Sequence, residues 1–514
     1  MRDIRPDRAI GVWSRLRVVI ALALLGCGHP TSPPPAPPPP PPPPPAPAAK
    51  LAFVVQPANA LAGEPLAPAV RVELQSAAGS RVTTATDAVT LSLGPVGTGT
   101  LSGTVTVAAV AGVATFSDLV VDTRASGYTL TAAAGGLTGA TSQAFRVVTP
   151  FLASELAAGR DFTCFLDWGG HVYCAGLNDQ GQLGDGTTTN RAFPEPTAGP
   201  PPSPALQFVH LSAGGAHACG TTTLLVTYCW GSNSHGQLGI GTNGGNQLVP
   251  SAVAGGAELV WISTGARHSC GTTTPPVQAY CWGDNTFGQL GDGHQSETES
   301  APVQVAGGLD FVFVAAGVDH SCATVNDGSI YCWGRNDHGQ LGDGTTADRA
   351  LPTRVVSGGV LFSLLAVGDG YTCALTSGGE GYCWGRNEAG QLGDGTTTER
   401  TTPTLIVTPG IPAGQPAISG ISAGSGFTCG LFIDQTVRCW GLNTDGQLGN
   451  GATGAGSLSP TMIAGGLNPF SAFVGGRHAC AIDQATPYCW GANGSGALGR
   501  GTTTSSPSPA RVVY

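Results

Sequence analysis

The sequence predicts an all-β chain in which a small antiparallel sandwich precedes a propeller built from repeated blades. Three observations carry this expectation. A pair of cysteines returns seven times at a near-constant period; glycine and proline are abundant, 79 and 40 of 514 residues, while charged residues make up only 11%; and a stretch before the first pair alternates polar and apolar residues. A fixed period of this length marks a repeat architecture, and few charges with many turn formers leave little material for amphipathic helices.

In chain order, Arg2, Arg5, Arg8, Arg15 and Arg17 precede the apolar run Val18 to Leu25. That run is too short to span a bilayer and has the anatomy of a secretory signal over residues 1–26. It ends in Leu24-Leu25-Gly26-Cys27, which resembles the lipobox of bacterial lipoproteins. The resemblance implies cleavage before Cys27, lipidation of its sulfur and attachment to a membrane. Gly28 follows instead of an aspartate, which implies an outer-membrane or cell-surface destination. The bland alternative is an ordinary cleaved signal.

Residues 27–50 form a linker, nearly all proline from Pro30 to Pro47. Such a run adopts extended polyproline II at about 3.1 Å per residue, a stalk on the order of 55 Å long. Past residue 26 the chain carries 17 basic and 30 acidic side chains, a net charge of −13, and its single lysine is Lys50. That acidity, with no basic cluster, excludes nucleic acid as an expected partner.

Residues 51–148 contain Val70-Arg71-Val72-Glu73-Leu74, Val89-Thr90-Leu91-Ser92-Leu93 and Tyr128-Thr129-Leu130-Thr131-Ala132, separated by turn residues. Period-two alternation over about 100 residues reads as a sandwich of half-buried strands. Phe53-Val54-Val55-Gln56-Pro57 and Gly112-Val113-Ala114-Thr115-Phe116 look like bacterial immunoglobulin-like domains of surface proteins, and a spacer role is favoured over a binding site.

The repeats occupy residues 151–514. Their cysteine pairs are Cys164 with Cys174, Cys219 with Cys229, Cys270 with Cys281, Cys322 with Cys332, Cys373 with Cys383, Cys429 with Cys439 and Cys480 with Cys489, the first cysteines standing 51 to 56 residues apart. Each has a local partner, the pattern of disulfides in an oxidising compartment; zinc is disfavoured because the short two-to-four-residue knuckle is missing and pairs of different blades lie far apart. Around Asn326-Asp327-Gly328 two short strands form a hairpin that sets Cys322 opposite Cys332, where Cα atoms about 4.5 Å apart suit a bridge. Upstream of each pair, small residues such as Ala157-Ala158-Gly159 and Ser212-Ala213-Gly214 suit a crowded inner strand. Downstream, Trp230, Trp282, Trp333, Trp384, Trp440 and Trp490 follow the second cysteine, with Ala175 in the first repeat. Packing between blades is preferred to carbohydrate stacking for these indoles.

The pattern Gly-x-x-His-Ser/Thr-Cys followed by Cys-Trp-Gly-x-Asn-x-x-Gly-Gln-Leu-Gly-Asp-Gly-Thr, with Asn178, Asn233, Asn285, Asn336, Asn387, Asn443 and Asn493 in all seven copies, resembles the regulator-of-chromosome-condensation repeat. The resemblances together imply the fold class: all-β, a seven-bladed β-propeller of four-stranded blades preceded by an immunoglobulin-like β-sandwich. They also imply ring closure by shared strands, with Pro509 to Val513 completing the first blade, so that deleting this segment opens the ring.

Chemistry is sparse. His217, His268, His320 and His478 share a repeat slot with Phe162, Tyr371 and Phe427, which reads as packing in preference to general-base or ligand work. Asp185, Asp292, Asp343 and Asp394 sit in Gly-Asp-Gly turns whose counterparts are Ile240, Asn450 and Arg500, so turn chemistry is favoured over calcium. No catalytic residue, metal ligand or cofactor site is assigned. The longer connections Pro194 to Pro204 and Pro403 to Pro416, with Phe287, His294, Arg349 and Arg400 in or near loop tips, are the candidate binding elements, because loops on a rigid scaffold carry recognition. The namesake of the repeat family is a nuclear guanine-nucleotide exchange factor, whereas secreted bacterial propellers that inhibit β-lactamases are similar to this chain and grip a protein with one face. The expectation is a monomeric, lipid-anchored, non-catalytic scaffold binding an extracellular protein or glycan, with a polysaccharide-acting enzyme, an exchange factor and a purely structural spike as alternatives.

Overall fold

The computed structural model describes residues 46–94, 98–199, 206–275, 277–296, 298–408, 410 and 417–514; residues 1–26, Cys27 and most of the proline run lie outside them. Residues Ala48–Tyr514 form one compact unit. Among the described residues the chain is all β, without a helix.

The N-terminal domain gathers short strands into small sheets around one core. Lys50–Val55, Val70–Gln75 and Val113–Phe116 form one sheet; Ala140–Thr141, Leu130–Ala133, Ala88–Leu93 and Thr106–Ala108 form another; Ala60–Leu61, Phe145–Val148 and Ala125–Tyr128 form a third. The alternation read in the sequence is physical: Val70, Val72 and Leu74 are buried while Arg71 is exposed, and Val89 and Leu91 are buried between exposed Thr90 and Ser92. Their inward side chains meet Phe116, Leu119, Tyr128, Leu130 and Phe145 in a common core.

Beyond residue 154 come seven consecutive four-stranded antiparallel sheets, from Glu155–Ala158 through Ser506–Arg511. In the fourth sheet the strands are Phe311–Ala316, His320–Val325, Ile330–Gly334 and Arg349–Arg354, and Cys322 lies opposite Cys332 as the hairpin requires. The other six sheets repeat this register. Cys164 faces Cys174 in the first sheet, Cys219 faces Cys229 in the second and Cys270 faces Cys281 in the third. Cys373 faces Cys383 in the fifth sheet, Cys429 faces Cys439 in the sixth and Cys480 faces Cys489 in the seventh. All seven pairs have their sulfurs at bonding distance and their Cα atoms 4.0–4.1 Å apart, slightly closer than the 4.5 Å expected of an ideal opposed pair.

The first strands adjoin one another around an axis, and the first strand of the seventh sheet adjoins that of the first. At this crowded axis the repeated glycine is required. A Cβ on Gly214 or Gly265 stands 2.1 Å from the carbonyl oxygen of the next sheet's glycine. The backbones close on each other directly: Arg160 N donates to Gly214 O at 3.0 Å, Gly215 N to Gly265 O at 3.1 Å, Ala266 N to Gly317 O at 3.1 Å and Gly476 N to Gly159 O at 3.1 Å.

Two further devices join each sheet to the next. Every tryptophan that follows a second cysteine is fully buried and donates its indole N–H to the preceding sheet's glutamine carbonyl, as Trp333 does to Gln289 at 2.9 Å and Trp490 to Gln447 at 2.9 Å. The second device is a bolt that the packing interpretation of the histidine slot did not anticipate. His217 Nε2 meets Ser269 Oγ at 2.9 Å, His268 meets Ser321 at 2.9 Å, His320 meets Thr372 at 2.9 Å, and His478 meets Thr163 at 2.7 Å. Tyr371 Oη accepts from Thr428 Oγ1 at 3.0 Å and donates to Phe427 O at 2.6 Å. Where the slot holds Phe162 or Phe427, the facing residue of the next sheet is Ala218 or Ala479. Each hydroxyl that meets a histidine also donates to a backbone carbonyl, Ser321 to Gln289 O at 2.9 Å and Thr163 to Ala497 O at 2.8 Å. Its oxygen therefore accepts from the imidazole, which fixes the proton on Nε2. The slot is indeed buried, as expected, and it is polar wherever its neighbour is.

The junction between the seventh and first sheets departs from this plan. Ala175 takes the tryptophan position and Ala497 the glutamine position, and the space is filled by Phe151, Phe165, Leu498 and Val512. The Phe151 ring lies 5.1 Å from Tyr173 and 5.1 Å from Tyr514. Thr149 and Tyr514 exchange backbone hydrogen bonds at 3.1 Å, and the Arg124 guanidinium of the N-terminal domain sits 4.0 Å over the Tyr514 ring.

The terminal strand corrects the expected closure. Ser506–Arg511 pairs with Thr486–Gly491, Cys489 facing Ala510, so it completes the seventh sheet and not the first. The reason is register: each repeat already supplies its own fourth strand, as Thr353 faces Cys332 in the fourth sheet. Deleting residues 506–514 is expected to strip the seventh sheet's outer strand together with the Val512 and Tyr514 packing, seen as lost amide protection in residues 478–491. Truncating Trp333 to alanine is expected to cost about 3–5 kcal/mol, the usual range for a buried aromatic, read as a lowered denaturation midpoint.

Candidate functional site

The turn between the first two strands of every sheet and the loop between its last two open on the same side of the ring, here named the turn face. The Asn-x-x-Gly-Gln-Leu-Gly loop is rigid for local reasons. Asn336 Nδ2 donates to Thr345 O at 3.1 Å and Ala347 O at 3.0 Å, while its Oδ1 accepts from Leu341 N at 3.0 Å. Gly291 must be glycine because its Cβ would lie 2.7 Å from the Trp333 indole nitrogen. The scaffold thus holds the variable positions between these fixed ones.

Asp185, Asp343 and Asp394 do belong to turn chemistry. Each Oδ1 accepts from the threonine two residues on, and each Oδ2 pairs with an arginine six residues on, Arg191, Arg349 and Arg400, at 2.7–2.8 Å. Burial works to raise these carboxyls, but the threonine and arginine hydrogen bonds outweigh it and hold them below the ordinary aspartate range. Arg349 and Arg400, expected in or near loop tips as candidate binding elements, are tied into the scaffold by these pairs. His294 is 79% exposed beside Asp292 at 3.5 Å, and Phe287 lies on the turn face under the Arg335 guanidinium at 5.1 Å.

At the centre of the turn face is a cavity of about 700 Å³ on the axis, walled by Ala158, Ala213, Thr264, Ala316, Val367, Ala423 and Val474 and rimmed by Arg160, Arg267, Asp319, Asp369 and Arg477. A smaller one of about 150 Å³ lies between the fourth and fifth sheets, lined by Asp319, Arg335, Asp337, His338, Asp369 and Arg386. Ion pairs run through this arc of the rim: Arg267 with Asp284 at 3.1 Å and Asp319 at 3.4 Å, Arg335 with Asp319 at 3.2 Å and Asp337 at 2.6 Å, Arg386 with Glu388 at 2.6 Å, and His338 with Glu399 at 2.6 Å. Burial raises the Asp337 carboxyl, yet hydrogen bonds from Arg335 and Gln340 prevail and keep it below its usual range. A carboxylate so held is a poor proton donor at neutral pH.

The four slot histidines are buried behind this rim, His320 at the edge of the smaller cavity. Burial pushes His217 and His320 down to about 3 and His268 and His478 down to about 4, so they stay neutral near pH 7. On the opposite face, Trp168 at the tip of the first sheet's hairpin is 74% exposed and Leu224 of the next hairpin 81%. Neither was singled out from sequence, although Trp168 stands outside the Cys-Trp phrase that accounts for the buried indoles. Among the described residues no group of three histidine, cysteine or acidic side chains is arranged to hold a metal ion.

A family model described as the RCC1-like domain matches residues 136–481. The chain belongs to the RCC1-like domain family. The Ultraviolet-B receptor UVR8 of Arabidopsis thaliana is 29% identical over 286 residues, 54% of this chain and 64% of the plant protein. Human E3 ubiquitin-protein ligase HERC2 is 34% identical over 249 residues, 46% of this chain and 5% of the ligase. The RCC1-like chain thus spans less than two thirds of each. Among solved structures, human WBSCR16 superposes with a TM-score of 0.59 at 24% identity, covering 67% of this chain and 90% of its own. Yeast RCC1 (Prp20), solved with Kap60, gives 0.57 at 20% identity, covering 70% and 85%. At these identities the shared propeller fold is what the solved structures establish.

Proposed function

We propose that this RCC1-like propeller is a non-catalytic scaffold that binds an extracellular protein through its turn face. The observation that carries the reading is a division of labour within each repeat: asparagine, glycine, leucine and cysteine hold the turn face rigid, while the exposed positions between them differ in charge from sheet to sheet. The result is an ion-paired arc over the third to fifth sheets, beside an axial cavity walled by small residues and rimmed by charged ones that a projecting partner loop can enter. Charged groups fixed on a rigid frame give a protein partner electrostatic complementarity and register. Relatives support a binding role: yeast RCC1 is solved bound to Kap60, and Prp20p has binding properties toward Gsp1p and histones. The seven sheets are read as the blades of one closed, monomeric ring, and the N-terminal domain as an immunoglobulin-like spacer.

The N-terminal sequence and the cysteine pairing support the extracellular setting. The signal-like residues 1–26, the lipobox-like Cys27 and seven cysteine pairs suit an oxidising envelope, with the chain held by lipid at the outer membrane. Exchange activity is not carried over from the namesake of the family. A polysaccharide-acting enzyme remains the second reading because Asp319, Asp337 and Asp369 do cluster at one cavity. Asp319 and Asp337 are both clamped by Arg335, against the free acid that glycoside hydrolysis requires. The deciding experiment incubates oxidised full-length protein separately with envelope proteins and envelope polysaccharide. A saturable protein partner with no release of reducing ends is expected; released reducing ends would transfer the assignment to a hydrolase.

A further inference from the structure

We propose that the junction between the seventh and first sheets is an acid-released latch: His478 gains a second proton, on Nδ1, only when this junction parts, so that acid opens the ring there first while the disulfide-braced sheets stay folded. The geometry singles out this junction. Four junctions use a histidine bolt, but three of them, at His217, His268 and His320, are backed by an indole-to-glutamine clamp, and the chain runs directly from one sheet to the next. At the fourth, Ala175 and Ala497 replace the clamp, and the chain joins the two sheets only the long way around the ring. What holds it is the His478–Thr163 bond at 2.7 Å, the Thr163–Ala497 bond at 2.8 Å, the aromatic plug of Phe151 and Tyr514, and the backbone bonds of Gly476 to Gly159, Gly501 to Ala192, Ala153 to Ala485, Phe151 to Val512 and Thr149 with Tyr514, none of them from a buried indole.

A proton on Nδ1 makes His478 a cation in a fully enclosed site. No carboxylate on its own sheet, the first sheet's Phe162–Leu166 strand or the Ala497 loop shifts it; Arg160 and Arg477 at the turn above are paired with Asp161 and Asp445. Burial alone depresses it. Burial is also the largest influence at the other three bolts. His268 has Asp319 and Asp284 beside it as well as Arg267, His320 has His268 and Asp337, and His217 has His268. Acid therefore presses on all four bolts, and the His478 junction yields first because no indole clamp and no direct chain connection back it.

The test is hydrogen exchange of the full-length oxidised protein at pH 7 and pH 5, with protection corrected for intrinsic rates. With a folded value of about 4 against about 6.5 when exposed, linkage gives on the order of twentyfold more opening at pH 5. That loss is expected in residues 162–166 and 478–483, ahead of the His268–Ser321 junction. The matched variant is His478→Phe with Thr163→Ala, which copies the chain's own Phe162/Ala218 and Phe427/Ala479 pairs and should leave the junction insensitive to acid. Equal remaining protection at all histidine junctions at pH 5 overturns the latch, and so does acid sensitivity that persists in the swapped protein. If the swap does not fold, the comparison between junctions of the natural chain still decides.

Discussion

Protein refolded with its cysteines kept reduced is expected not to regain the propeller. Each bridge closes a loop of about eleven residues, worth about 3 kcal/mol in the chain-entropy model, so seven amount to on the order of 20 kcal/mol. That sum exceeds the net stability of about 5–15 kcal/mol typical of a folded domain, even when discounted for non-additivity. The bridges compensate for first strands made of alanine, serine and glycine, which bury little apolar area. All fourteen sulfurs belong to residues at most 1% exposed, so reductant reaches them only after unfolding. The measurement is therefore refolding from denaturant with and without reductant, followed by near-ultraviolet circular dichroism of the buried indoles. The N-terminal domain, which has no cysteine, should refold in both cases. Recovery of the indole signal in reductant would show that side-chain packing alone specifies the ring.

Acid is expected to weaken the propeller between pH 7 and pH 5, above the range in which carboxylates titrate. The four slot histidines have folded values of about 3 to 4, below the value of about 6.5 for an exposed imidazole. Their contribution is fully present above the unfolded value. It is lost as pH falls, because the unfolded chain binds protons that the folded chain refuses. At pH 5 each costs about 2 kcal/mol, about 8 kcal/mol for four independent sites. Asp185, Asp343 and Asp394, held low by their partners, act in a lower window: their contribution is present above the unfolded value and lost as pH falls through the depressed folded one. Denaturant midpoints from pH 8 to 4.5 separate the two windows. Replacing His268 with Phe and Ser321 with Ala should remove about a quarter of the upper one, and an unchanged slope would show that the imidazoles are hydrated.

Much of this fold is written openly in the repeats. The Asp-Gly hairpin turn and the cysteine spacing give the second and third strands, the small-residue run gives the first, and the tryptophan after the second cysteine gives the packing between sheets. The local pairing of every cysteine, from Cys164 with Cys174 to Cys480 with Cys489, is legible because both partners flank one hairpin turn. Contacts that cross from one repeat to the next are harder to see. The bolt joins residues about 52 positions apart, so it emerges only when the slot of one repeat is compared with the residue before the cysteine of the following repeat. Read with that offset, histidine and tyrosine always meet a hydroxyl and phenylalanine always meets alanine, including His478 with Thr163 across the closure. The paired replacement of Ala175 and Ala497 is legible in the same way. The terminal strand was misplaced because its sequence resembles several others, and only its register against Thr486–Gly491 assigns it to the seventh sheet. The turn face could not be drawn from sequence, since its ion pairs join three sheets whose charged positions are unremarkable one repeat at a time.

The measurement that tests the central claim most directly compares the two faces of the full-length oxidised protein against the same envelope protein partner. One variant reverses the turn-face arc with Arg335→Glu and Arg386→Glu; the other changes the opposite face with Trp168→Ser and Leu224→Ser. Binding lost in the first and retained in the second is the predicted result, with both variants keeping the indole signature of the folded ring. Binding retained in the first and lost in the second would move the binding site to the hairpin face and contradict the account.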